Sequence, residues 1–161
     1  MHARAASFTG ARSMMKVRAT RGDEVQSFRA QLVVTKPETM ELIAYTPIGT
    51  AAMTIRAEGD RISYTNHLEG TTVKTTAEDL ARSLGFYTAE LEPYEMAMLL
   101  LGLPPRRELL YEASAMGLAR ASVADVTVSF DPPQFPAHKV TVTRGGDTLE
   151  IEHLETIATK R

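Results

Sequence analysis

Apolar and polar residues alternate with a period of two along most of this sequence. Met15, Val17 and Ala19 are separated by Lys16 and Arg18, and the same alternation returns in many later segments. Successive side chains of a β-strand point to opposite faces of the sheet, so this period is typical of strands that bury one face. Because Gly, Pro and Asp separate the segments, the pattern predicts an antiparallel meander of short strands.

The period becomes helical at two places. Residues 76–84 are predicted to form a helix, because Thr76 stands three residues before Asp79 in a capping-box spacing. A second helix is predicted over residues 93–101, since a proline suits the first turn of a helix. Residues 106–121 fit a helix and a strand equally well, and the pattern leaves that choice open.

These segments amount to about eight to eleven strands, with two helices inserted after about the sixth strand. The order shows no strand-helix-strand repeat, so we expect an α+β protein with an antiparallel sheet. A strongly curved sheet or open barrel with helices across its mouth covers the apolar inner face without a second sheet. We predict a flexible N-terminal arm over residues 1–10 and a single domain over residues 11–161.

Composition excludes several classes of protein. A formal net charge of −2 argues against a nucleic-acid partner, and no apolar run approaches the ~20 residues of a membrane-spanning helix. The chain has no cysteine, so a disulfide, a thiol nucleophile and a thiolate metal site are all excluded. Motifs for phosphate binding, dinucleotide binding, serine hydrolysis and zinc hydrolysis are absent. We therefore predict no enzyme activity and no cofactor.

A metal site is not expected either. His153 and Glu155 share one face of a predicted strand, but the neighbouring acids Glu150 and Glu152 point to the other face. The local carboxylates therefore do not converge on one ion.

Charge is distributed unevenly along the chain. The first 22 residues hold five basic side chains and no acidic one, which leaves 13 basic and 20 acidic side chains in the remainder. One interpretation is a basic edge that meets anionic lipid headgroups or an acidic partner. The other is a solvated strand face, and the sequence leaves both open.

Two features of the apolar residues point to a ligand. Eight methionines and no tryptophan indicate an adaptable interior, although methionine also fills gaps in an ordinary core. Ile48 stands in the turn Pro47-Ile48-Gly49, at the tip of a predicted hairpin. An apolar side chain is disfavoured there unless something docks against it.

Three short motifs resemble a known family and occur in its order. They are the strand-turn-strand of residues 42–50, the helix end of residues 99–104, and Phe135-Pro136-Ala137 before the last hairpin. The resemblance extends over residues 11–158. On these motifs the chain resembles the superfamily of the bacterial outer-membrane lipoprotein receptor and the periplasmic lipoprotein carrier (LolB/LolA-like).

The resemblance implies an incomplete antiparallel barrel of about eleven strands, lidded by helices, whose apolar cavity receives the acyl chains of lipoproteins. It also implies that Pro47, Ile48 and Gly49 form the protruding loop that helps to pass a lipoprotein into the membrane. We expect the cavity wall at Phe28, Leu32, Met40, Leu42, Ile55, Ile62 and Val128, and the helical lid at Leu80, Leu84, Met96, Leu99 and Leu100.

Receptors of this family are anchored through an N-terminal cysteine, whereas this chain carries neither a signal segment nor a cysteine. The resemblance implies the periplasmic face of the outer membrane in a Gram-negative bacterium, with a lipid anchor in the native form. Its partners would be lipoprotein acyl chains or another lipid, a periplasmic carrier protein and the outer-membrane surface. Two alternatives stay open: a binder of another lipid or apolar small molecule, and a structural envelope lipoprotein with no transfer role.

Overall fold

The computed structural model describes residues 8–83, 87–88, 90–103, 110–114, 117–131 and 138–160. The strands are β1 (Phe8–Arg21), β2 (Glu24–Thr35), β3 (Thr39–Tyr45), β4 (Ala51–Glu58), β5 (Arg61–Asn66), β6 (Thr71–Thr75), β7 (Leu110–Ser114), β8 (Gly117–Val123), β9 (Val126–Asp131), β10 (Lys139–Arg144) and β11 (Asp147–Lys160). The helices are α1 (Ala77–Ser83) and α2 (Pro93–Leu100). Of the predicted N-terminal arm, residues 1–7 lie outside the described residues and residues 8–10 begin β1.

One antiparallel sheet contains all of the described strands, in the order β6-β5-β4-β3-β2-β1-β11-β10-β9-β8-β7. The sheet is curved and not closed, which confirms this part of the predicted fold. Its middle is formed by the first and last strands of the chain, since β1 pairs with β2 on one side and β11 on the other. The remaining strands continue outward as two meanders.

The alternation of apolar and polar residues arises, as predicted, from strands that bury one face of the sheet. In β2, Ala30, Leu32 and Val34 are buried, Gln31 and Val33 between them are partly buried, and the flanking Arg29 and Thr35 are exposed. The buried sides of the strands form a continuous inner face, and α2 packs against β2, β3 and β4 on that face. Burying this face is the main stabilising term in such a fold, at roughly 25 cal/mol for each Å² of apolar surface removed from water.

Both helices form where the sequence predicted them. The Asp79 backbone N–H donates to Thr76 Oγ1 at 3.2 Å and caps α1. At the start of α2, the Glu92 backbone N–H donates to Glu95 Oε1 at 2.9 Å, and Pro93 takes the first helical position. The second helix ends at Leu100, one residue before the predicted end.

The segment that the pattern left open contains strands. Residues 110–114 and 117–123 form β7 and β8, and β8 pairs with β9 through Val123 and Val126. From residue 122 onward, alternation in the sequence places Ala124, Val126 and Val128 on one strand face, and for Ala124 this prediction is wrong. Ala124 lies in the two-residue turn between β8 and β9 with φ of 52°, a left-handed conformation that such hairpin turns require.

Candidate functional site

The predicted wall residues lie on the inner face of the sheet. Leu32, Met40, Ile55, Ile62 and Val128 are buried in one apolar cluster. Phe28 and Leu42 are partly buried and pack against that cluster. The strand register explains this, because Leu32, Leu42 and Ile55 are consecutive cross-strand partners on β2, β3 and β4.

The predicted lid residues join the same cluster. Leu80 on α1 and both Met96 and Leu99 on α2 are buried, and Leu100 is partly buried against them. Leu84 lies outside the described residues. The side chains of α2 therefore pack over the inner face at β2, β3 and β4, and Leu99 is fully shielded from water. We call this group of sheet and helix side chains the inner cluster.

A chain of polar groups ties α2 to the middle of the sheet. His153 Nε2 lies 2.8 Å from the carbonyl oxygen of Leu100, the last residue of α2, and Nδ1 lies 2.5 Å from Ser13 Oγ. A carbonyl only accepts, so Nε2 carries the proton, and Nδ1 accepts from the Ser13 hydroxyl. Ser13 Oγ in turn lies 3.1 Å from Thr156 Oγ1. We call this chain of hydrogen bonds the His153 latch.

The latch sits away from solvent, with His153 only 5% exposed. Burial lowers the pKa of His153 below its ordinary value, because the charged imidazolium would lose its contact with water. The hydrogen bond to the Leu100 carbonyl opposes this shift, and the nearby His138 adds to it. The imidazole is therefore neutral at pH 7 and acts as a connector.

The sequence pattern places His153 and Glu155 on one strand face but predicts no metal site there. The structure uses both ring nitrogens of His153 in hydrogen bonds and leaves Glu155 exposed. No group of three potential metal ligands lies within the described residues. The available signal was that His153 follows Ile151 at strand spacing, which placed it on the buried face.

The β3–β4 hairpin presents the predicted loop. The Thr46 backbone N–H donates to the Thr50 carbonyl at 2.8 Å, and the Gly49 N–H donates to the Thr46 carbonyl at 2.9 Å. Gly49 has φ of 91°, in the left-handed region that favours glycine. These bonds close a tight turn and leave Ile48 87% exposed at its tip.

A second apolar tip was missed by the sequence reasoning. Leu68 lies in the turn between β5 and β6 and is 74% exposed. Asn66 Oδ1 accepts the backbone N–H groups of Leu68 at 3.0 Å and Glu69 at 3.2 Å, which holds the turn. This turn lies at the same end of the sheet as the Ile48 turn, because β4 leaves that end and β5 returns to it. The presence of an apolar residue in a turn could have identified Leu68, as it identified Ile48.

A cleft of about 460 Å³, which we call the outer-face cleft, lies along the outward charged side chains of β1, β2 and β11, and Val17 and Ile151 of the inner cluster also line it. Its floor is formed by β1, β2 and β11, and Thr46 and Pro47 of the Ile48 hairpin border it. Of the predicted wall residues, Phe28 also lines it. The charged residues along it are Lys16, Arg18, Arg29, Lys139, Glu150 and Glu152.

A wider cleft of about 770 Å³ lies beside α1 and the turn between β10 and β11. Across it, Arg144 Nε donates to Asp125 Oδ2 at 2.9 Å. This hydrogen bond lowers the pKa of Asp125 below its ordinary value. The charged residues that line this cleft are of both signs, with Arg21 and Arg82 beside Glu78 and Asp147. The cleft therefore favours neither an anionic nor a cationic ligand.

An open antiparallel sheet with short helices against its apolar face defines the class of fold. No family model matches the sequence, and no curated protein matches it. No helix in the described part of the chain is long and apolar enough to cross a membrane.

Three solved structures resemble this one over nearly the whole chain. A LolA superfamily protein from Nitrosomonas europaea is 8% identical, with a TM-score of 0.58, over 95% of this chain and 87% of that one. A domain described as an outer membrane lipoprotein-sorting protein from Vibrio parahaemolyticus is 10% identical, with a TM-score of 0.63, over 98% and 90%. A DUF1329 family protein from Desulfovibrio piger is 9% identical, with a TM-score of 0.66, over 97% and 88%. The chain therefore has a LolA-like fold.

Proposed function

We propose that this protein binds the acyl chains of lipoproteins between the inner face of its sheet and α2, and helps to localise or insert them into the outer membrane. The observation that carries the proposal is the inner cluster, in which apolar side chains of the sheet meet apolar side chains of α2. The LolA-like fold supports it, since one structural neighbour is described as an outer membrane lipoprotein-sorting protein.

Binding requires α2 to leave its position, because its side chains pack on the same apolar face that an acyl chain would contact. An acyl chain would then replace one set of apolar contacts by another, at ~0.8 kcal/mol for each buried methylene. Since α2 and the ligand compete for the same surface, the net affinity stays moderate, which suits a protein that must release its cargo. Met40, Met96 and Met98 are buried in the cluster and adapt easily to a different neighbour.

The His153 latch gives α2 a defined closed position. Lifting the C-terminal end of α2 separates the Leu100 carbonyl from His153 and leaves both groups to find other partners. A hydrogen bond of this kind contributes roughly 0.5–1.5 kcal/mol net. This is small against the ~0.8 kcal/mol gained for each methylene of an acyl chain, so a bound lipid would hold α2 open.

In this proposal the protein acts in the bacterial envelope, on the periplasmic face of the outer membrane, and its native form is lipid-anchored. It receives cargo from a periplasmic carrier protein, and Pro47, Ile48 and Gly49 meet the membrane during delivery. No catalytic step and no cofactor are assigned to it. The filled inner cluster favours one alternative, a structural envelope protein that keeps α2 closed permanently.

A fluorescence titration separates these two functions. The chain is titrated with a triacylated lipopeptide, and the same peptide without acyl chains serves as the matched control ligand. We expect saturable binding of the acylated peptide alone, because the inner cluster offers nothing to the peptide part. If a free fatty acid competes as strongly as the lipopeptide does, the protein is instead a general lipid binder. An absence of acyl-dependent binding would contradict the proposal and favour the structural role.

A further inference from the structure

Cations crowd together on the outer face of β1 and β2. Lys16 stands directly opposite Arg29 in the antiparallel pair, and Arg18 is the next outward residue along β1. Cβ atoms directly opposite in such a pair lie about 5 Å apart and diagonal neighbours about 7–8 Å apart. Like charges in these positions destabilise a sheet. The arrangement therefore has a cost to stability that its surroundings should explain.

The carboxylates of the outer-face cleft do not neutralise this cluster. Glu152 stands beside Lys16 and Lys139, and Glu150 stands beside Arg18. The cleft thus holds four basic and two acidic side chains. None of the six forms an ion pair within the described part of the chain. The cleft therefore carries an excess of two positive charges, which favours an anionic ligand such as a phosphate group.

The position of the cleft suggests the source of that phosphate. Thr46 and Pro47 border the cleft, and the next residue is the exposed Ile48. Cations that lie beside a protruding apolar side chain are typical of surfaces that bind at the boundary between headgroups and acyl chains of a bilayer. The basic side chains are themselves exposed, so a free phosphate in water would be held only weakly.

We propose that the outer-face cleft binds the phosphate of an anionic lipid headgroup at a bilayer surface, with Ile48 in the adjacent apolar layer. Lys16, Arg18 and Arg29 contact the phosphate, and Glu152 limits the affinity. The proposal does not depend on acyl-chain binding in the inner cluster, because Lys16, Arg18 and Arg29 are exposed and alternate with the buried side chains of that cluster. A protein that fails the lipopeptide titration is still expected to bind anionic vesicles.

The test measures co-sedimentation with vesicles of phosphatidylcholine alone and of phosphatidylcholine mixed with phosphatidylglycerol. We expect binding to the mixed vesicles that weakens as salt rises. The double variant Lys16→Gln/Arg29→Gln is expected to bind the mixed vesicles roughly 10- to 30-fold more weakly than the parent. The matched control is Arg12→Gln/Lys74→Gln, which removes the same two charge types from exposed strand positions outside the cleft.

A gain of binding gives a second readout that a folding defect cannot imitate. Glu152→Gln is expected to tighten binding to mixed vesicles several-fold, whereas Glu69→Gln, in the exposed turn before β6, is expected to leave it unchanged. Glycerol 3-phosphate and inorganic phosphate are added as soluble competitors, and neither is expected to displace the protein from vesicles.

Three results would overturn the proposal. Equal losses in the cleft variant and its control would show that total charge alone governs binding. Displacement by millimolar glycerol 3-phosphate or inorganic phosphate would identify a site for a free anion. Absence of binding to mixed vesicles would leave an acidic protein as the partner of this surface.

Discussion

At the scale of single residues, the buried polar groups decide how the inner cluster is closed. His153 lies among apolar neighbours, yet both of its ring nitrogens have partners, Ser13 and the Leu100 carbonyl. No buried side-chain nitrogen or oxygen within the described residues lacks a hydrogen bond. Removing one partner would leave the other group buried and unsatisfied, which costs more than the bond itself contributes.

The substitution Ser13→Ala tests the cost of leaving a buried polar group of the latch without its partner. The substitution removes the donor to His153 Nδ1 without leaving a large cavity, so we expect the free energy of unfolding to fall by about 1–3 kcal/mol. Denaturation in urea measures the change. Ser27→Ala, at an exposed position on the neighbouring β2, is the control and is expected to change stability by less than about 0.5 kcal/mol. Similar small effects of both substitutions would show that the latch contributes nothing to stability.

At the scale of elements, hairpins built by local turn chemistry expose apolar side chains at one end of the sheet. Ile48 and Leu68 lie in separate turns at this end, Ile48 between β3 and β4 and Leu68 between β5 and β6. Each turn is closed by its own backbone or side-chain hydrogen bonds, so neither apolar residue is needed for folding. Substitutions at these tips should therefore affect only contacts outside the chain.

Ile48→Glu and Leu68→Glu are expected to leave folding and lipopeptide binding unchanged and to weaken delivery of an acylated cargo to vesicles about tenfold each. A carboxylate in the acyl region of a bilayer loses its hydration, which opposes insertion of the tip. The measurement is transfer of a fluorescent triacylated lipopeptide from the protein to vesicles. Ile157→Glu is the control, since Ile157 is 47% exposed on β11 and pairs near the opposite end of β1. Delivery at the parent rate would contradict a membrane role for the tips.

The elements that the sequence predicted are those whose pattern reflects burial directly. Alternation of apolar and polar residues predicted strands such as those that contain Lys16 and Leu32, and capping residues predicted α1 and α2. These signals arise between neighbours in sequence. Ala124 was misplaced because a non-glycine residue with positive φ leaves no local signal. The burial of the described apolar positions could be predicted as a set, because each follows from the face of its strand or helix, and their roles as cavity wall and lid stay predictions.

Other features depend on partners far along the chain. Ser13 and His153 meet because β1 and β11 pair across 140 residues, and no local pattern encodes that register. The same pairing places Lys16 between Arg29 and Glu152, so the outer-face cleft could not be predicted from the basic N-terminal segment alone. The sequence allowed a solvated strand face or an anionic partner, and only the cross-strand neighbours favour the second interpretation.

At the scale of the whole molecule, the central strands connect the two meanders, the inner cluster and α2. β1 and β11 pair along most of their length, and the His153 latch extends from that pairing to the end of α2. Charging the His153 imidazole therefore affects the packing of both halves of the sheet. The pH dependence of global stability therefore contains a contribution from this group.

We expect acid to destabilise the fold through His153. Its pKa is lowered in the folded protein, whereas in the unfolded chain the imidazole titrates near its ordinary value of about 6.5. Above that pH the group is neutral in both states and has no effect. As the pH falls below about 6.5, the unfolded chain binds a proton that the folded protein does not, and the unfolding free energy decreases by up to about 1.4 kcal/mol per pH unit until the folded pKa is reached.

The carboxylates also titrate at low pH, so the informative quantity is the difference between variants. Urea denaturation of the parent and of His153→Gln is compared between about pH 7.5 and 5.5, with His67→Gln as a control at an exposed histidine. Removing His153 should flatten the curve, because a neutral amide binds no proton in either state. The His67→Gln curve shows how much of any change arises from removing a histidine outside the latch. Parallel curves for the parent and His153→Gln would mean that protonation of His153 is not coupled to folding, and that the latch can carry the charge without opening.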